Sequence, residues 1–90
     1  MKHRGDIIGW VVIRDSVNAL ADGLPRYIAA EGDHTIGRWQ PARKLKTAED
    51  ARVTAEAHRQ LMRGLQADYF IAPIYEHRGR RHIGEWVEVK

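Results

Sequence analysis

The spacing of apolar residues changes period along this chain. From Ile7 to Arg14, Ile8, Trp10 and Val12 alternate against Ile7, Val11 and Ile13, so both faces are apolar and the run predicts a strand inside a sheet. From Thr47 to Arg63 the repeat lengthens to that of a helix. At about 100° per residue, Ala51, Ala55, His58, Met62 and Leu65 share one side, while Glu49, Arg52, Glu56, Gln60 and Arg63 gather opposite. Thr47, with Asp50 three residues on, is a helix start: the hydroxyl accepts an orphan amide, and Glu49 and Asp50 lie at the positive end of the dipole. Gly64 predicts a left-handed cap.

The remaining segments read as strand and turn. Asp15 to Pro25 loses the alternation and predicts a loop, with a helical turn begun at Ser16 and stopped by Gly23. Arg26–Ala30 and Thr35–Trp39 flank a turn at residues 31–34. If Gly32 and Asp33 form its loop, Ala29 faces Ile36 and Ile28 faces Gly37. Gln40 to Lys46 crosses to the helix, with Pro41 breaking the strand. Tyr69–His77 and Arg80–Val89 form a second hairpin on an Arg78–Gly79 loop, pairing Glu76 with Arg81, Ile74 with Ile83 and Ile71 with Trp86. Pro73 lacks an amide donor and predicts an edge position or a bulge. Thr35–Trp39 resembles His82–Trp86, with Ile8–Trp10 a shortened version, and a glycine beside aromatic residues in each (Gly37, Gly84, Gly9) predicts a ring from a neighbouring strand lying over its backbone. The expected fold is α+β: an antiparallel sheet of about five strands, in the order βββαββ, with one amphipathic helix packed on one face.

Ninety residues make one domain, 1–90, with a small core. The absence of cysteine removes disulfides and thiolate metal sites and points to a reducing, cytoplasmic setting. Ile7 to Ile13 is too short for a membrane span and lacks a small-residue cleavage site, so neither membrane insertion nor secretion is expected. Fifteen basic against twelve acidic residues give a net charge of +3, which permits nucleic-acid contact without demanding it.

Candidate chemistry is sparse. Ser16, the only serine, has no glycine elbow around it and reads as a loop or cap residue. His3, His34, His58, His77 and His82 follow no metal-ligand spacing, and His58 reads as a helix-to-sheet boundary residue with one ring nitrogen bonded. No nucleotide, zinc-protease or calcium-loop motif occurs, so no catalytic residue, metal site or cofactor is expected, and an enzyme is the least supported class. The basic residues say more. Arg78, Arg80 and Arg81 crowd one hairpin tip, and Arg38, Arg43, Lys44 and Lys46 concentrate before the helix. Trp39 and Tyr75 lie nearby in sequence, and Trp86 follows on the last strand.

The layout of a tryptophan-bearing opening strand, a short hairpin, a T-x-E-D-A helix start at Thr47 to Ala51 and a final hairpin resembles small phage and mobile-element proteins, among them anti-CRISPRs. The resemblance is one of layout and transfers no functional residue. It implies a non-enzymatic protein that acts by occupying a surface of a nucleic-acid-handling complex. In that reading Trp39, Tyr75, Trp86 and the arginines form the contact to a protein partner. The alternative is direct nucleic-acid binding, with the same arginines plus Arg43, Lys44 and Lys46 neutralising phosphate. An unpaired sheet edge would also allow pairing with a second copy.

Overall fold

The computed structural model of the chain describes residues 5–16, 25–32, 34–64 and 67–90. Two eleven-residue strands, β1 (Asp6–Ser16) and β4 (Ala67–His77), lie antiparallel at the centre of the sheet. At about 3.4 Å per residue each is roughly 37 Å long, which accounts for the 41 Å long axis of the molecule. Outside β1 lie β2 (Arg26–Ile28) and then β3 (Thr35–Ile36); outside β4 lie β5 (Arg80–Ile83) and β6 (Val87–Val89). One helix, α1 (Ala48–Leu61), packs on β1, β4 and β6. The α+β architecture is therefore the expected one, with the last strand divided in two.

Alternation on β1 and β4 builds a core on each face. Val12, Ile28, Tyr69, Ile71 and Val89 meet Ala51 and Ala55 of α1, whose methyl side chains let the helix axis come close. On the other face Val11, Ile13, Ala72 and Ile74 are wholly buried, with Tyr27, Ile36, Trp39, Phe70 and Ile83 packed around them. Ile8 is the extra residue of a bulge: Ile7 pairs with Tyr75, yet Gly9 pairs with Ile74.

Pro73 lies in the central strand, not at an edge, and the ladder shows how. Trp10, opposite it on β1, exchanges both backbone hydrogen bonds with Leu45 at 2.8 Å, so neither group points at β4. The Trp10–Pro73 pair is thus a non-hydrogen-bonded one. The proline nitrogen points outward, and the Pro73 carbonyl accepts from Gly84 N–H at 2.8 Å. The missing donor falls where β5 has ended and β6 has not begun. That break inserts one residue into the register: Glu76–Arg81 and Ile74–Ile83 pair as expected, whereas Ile71 meets Val87 instead of Trp86. A Tyr75 ring does overlie Gly84, where an added Cβ would stand 2.7 Å from Tyr75 Cε2 and 2.9 Å from Pro73 Cγ. Gly37 has nothing within 4 Å of such a Cβ, and at Gly9 the nearest atoms belong to Leu45, Lys44 and Ile74, so among the described residues the expected ring does not cover those two glycines.

Other boundaries differ from the sequence reading. Thr47 caps α1 as expected, its hydroxyl accepting from Asp50 N–H at 3.0 Å. The helix stops at Leu61, however, with Met62 as C-cap donating to the His58 carbonyl, and Gly64 is not in the left-handed region. The first hairpin pairs Tyr27 with Ile36 and Ile28 with Thr35, two positions from the expected register. Ala29 N–H donates to the His34 carbonyl, which closes a four-residue loop instead of a two-residue one. Trp39 leaves the strand, because Ala42 N–H turns back onto its carbonyl and the indole packs into the core. β1 continues through Ser16, where a helical turn was expected to begin; the rest of that turn, Leu65 and Asp33 lie outside the described residues.

Candidate cationic docking site

The second hairpin turns through Arg78 and Gly79, whose φ values of 53° and 76° are both positive, as a type I′ turn requires. Glycine takes such a φ freely; an arginine there is uncommon. Arg78 and Arg80 are exposed at this tip, and Arg81 donates across the hairpin to Glu76, Nε to Oε2 at 2.9 Å. That pair is exposed and contributes little to stability.

Lys44 reaches the same end from the crossing segment. The Trp10–Leu45 bridge fixes this segment beside β1, and an added Cβ on Gly9 would lie 3.8 Å from Lys44 Cβ. The Lys44 ammonium donates to the Gln40 carbonyl and, at 3.0 Å, to that of Ala42. Its pKa is lowered, first by partial desolvation and then by repulsion from Arg81. Lys44 and Arg81, 37 residues apart in sequence, thus come near enough to repel each other, while Glu76 pairs with Arg81.

The other expected contact residues scatter. Arg43, next to Lys44 on an extended segment, points the opposite way and donates to the Gly32 carbonyl at 2.9 Å. There it borders a groove of about 210 Å³ between α1 and β2, lined by Ile28, Val53, Ala57 and Leu61. Arg38 is exposed beyond β3 beside Ile36 and Pro41, and Lys46 is exposed just before the helix cap. Trp39 is committed to the core, and Tyr75 lies over Gly84 while stacking on His82 at 5.4 Å between centroids. Trp86 packs on Phe70 at 5.5 Å, seven residues along β4 from His77 and so roughly 24 Å from the tip.

His58 is buried under α1, and its Nδ1 lies 2.8 Å from the Tyr69 hydroxyl, which makes it the bonded boundary residue expected. Burial raises the Tyr69 pKa above 10.0, while Arg14 and Arg59 pull it back. Arg14, Arg26 and Tyr69 were not singled out from sequence; they form a row across β2, β1 and β4. Their only sequence signal is that each arginine ends or begins an apolar run. Among the described residues, no three of His, Asp and Glu group so as to hold a metal ion, and no helix is long and apolar enough to cross a membrane. No family model, curated protein or solved structure matches the chain.

Proposed function

We propose that this protein works by docking, through Lys44, Arg78, Arg80 and Arg81, on an acidic surface of a nucleic-acid-handling protein complex. Inhibition of a CRISPR effector by a phage-encoded protein, in the host cytoplasm, is the form the sequence resemblance suggests. The observation that carries the reading is Arg78. A type I′ turn is most comfortable with asparagine or glycine in that place, and an arginine held at φ 53° spends folding stability on a guanidinium displayed to solvent. Lys44 supports it, since a second cation is brought to the same end against repulsion.

Direct nucleic-acid binding is the second reading, and one feature weighs against it. Trp39 packs into the interior and Tyr75 is stacked on His82, so neither of the two rings expected beside the cations is presented for a base to stack on. A mobility-shift titration with single-stranded and duplex oligonucleotides at low salt tests this. The docking reading expects no retention; retention that falls steeply with added salt would replace it with phosphate neutralisation.

A further inference from the structure

Arg14 and Arg26 stand directly opposite each other on β1 and β2, and Tyr69 is opposite Arg14 on β4. All three share the helix-covered face with Val12 and Ile28. Like charges so placed repel. The acids nearest in the ladder give no relief, because alternation turns Asp15 and its partner Asp68 to the other face. Arg59, the third cation here, lies over the Tyr69 ring at 5.2 Å and is already engaged by Glu56 and the Val89 carbonyl.

Among the described residues, Arg14 and Arg26 donate only to Thr35. Arg26 donates from Nε to Thr35 Oγ1 at 3.3 Å and from Nη2 to the Thr35 carbonyl at 3.0 Å. Arg14 donates from Nη2 to the same Oγ1 at 3.5 Å, the outer limit of a hydrogen bond, and its buried Nε has no acceptor. A donor left in this state is costly unless something accepts from it.

We infer that Arg14 and Arg26 form a binding site for a dianionic oxyanion of the phosphate-monoester class. Two guanidinium groups without a carboxylate among the described residues match a group carrying about two negative charges at neutral pH. The Nε–Nη2 edge of Arg14, held only by the long contact to Thr35, offers parallel donors spaced for two oxygens, while Arg26, whose own Nε and Nη2 are on Thr35, contributes its charge and Nη1. Both arginines are half-buried, and Arg14 Nε is itself buried, so the surroundings strengthen the attraction over that in bulk water. On binding, Arg14 gives up its long contact to Thr35 and turns Nε–H onto the ligand. The site lies toward the opposite end of β1 from Lys44 and Arg81 and does not depend on the docking reading.

The test is a titration of ¹⁵N-labelled protein at constant ionic strength, following arginine Nε–H resonances and thermal unfolding in parallel. The probes are inorganic phosphate, phenyl phosphate, dimethyl phosphate and acetate. Inorganic and phenyl phosphate are expected to move the Arg14 Nε–H resonance saturably and raise Tm, with dimethyl phosphate and acetate weaker by about tenfold or more. Arg26→Gln, and Arg14→Lys, which keeps the charge but loses the fork, are each expected to weaken phosphate by about tenfold. Absence of a saturable Arg14 shift, equal binding of dimethyl phosphate, or undiminished affinity in folded Arg14→Lys would each overturn the site. The parent's own Arg14 resonance decides the matter even where a variant does not fold.

Discussion

Replacing Gly84 with alanine tests the account of how Pro73 is accommodated in a central strand. The new Cβ would meet Tyr75 Cε2 at 2.7 Å and Pro73 Cγ at 2.9 Å, against about 3.5–4.0 Å for comfortable carbon contacts, an overlap approaching 1 Å. Neither neighbour yields freely. Pro73 is buried in β4, and Tyr75 is held by its stack on His82. Overpacking of this kind costs about 1–3 kcal/mol. With a urea dependence of about 1 kcal/mol per molar for a chain this small, the midpoint should fall by roughly 1–3 M. Gly37→Ala is the control, since nothing lies within 4 Å of its added Cβ; it should be neutral or stabilise by about 0.4–1 kcal/mol through the unfolded state. Combining Gly84→Ala with Tyr75→Leu removes one of the two clashes, so the double variant should be more stable than the sum of the singles by about 1 kcal/mol. Should Gly84→Ala unfold at the same urea concentration as Gly37→Ala, the ring is not over residue 84 and the break between β5 and β6 needs another cause.

Other consequences concern the buried tyrosine and the turn. Tyr69→Phe removes the hydroxyl bonded to His58 and should cost about 1–3 kcal/mol near neutral pH by chemical denaturation. Because burial raises the Tyr69 pKa in the folded state, its stabilising contribution is complete below pH 10 and is lost as pH rises through the folded value. The difference between parent and Tyr69→Phe should therefore narrow in alkaline solution, and a gap that widens there would contradict the assignment. Arg78→Asn relaxes a left-handed arginine and should stabilise the hairpin by about 0.5–1 kcal/mol, read as a rise in urea midpoint, while weakening docking. Loss of both stability and docking would show that the turn needs arginine for folding.

What the sequence made legible is local. A two-residue loop at Arg78–Gly79 sets a register, so Glu76–Arg81 and Ile74–Ile83 followed from counting outward. Counting fails at Ile71, because the proline that interrupts the ladder also admits an extra residue on the facing strand. Around Gly32 the turn chemistry suits loops of more than one length, and the choice rests on tertiary contacts such as Arg43 to the Gly32 carbonyl. The basic clusters were visible as composition, yet it is Lys44 alone of the second cluster that comes near Arg81, carried there by the Trp10–Leu45 bridge. Arg14 and Arg26 were invisible as a pair because alternation on two strands, with a register set elsewhere, puts them on one face.

The docking claim is tested most directly by affinity capture from nuclease-treated lysate of the organism that carries the gene, comparing the parent with a variant in which Lys44, Arg78, Arg80 and Arg81 are all alanine. These side chains are exposed, so the variant should fold, which a thermal melt checks. We predict a partner protein that survives nuclease with the parent and disappears with the variant. A partner captured equally by both, or one lost on nuclease treatment, would contradict the account.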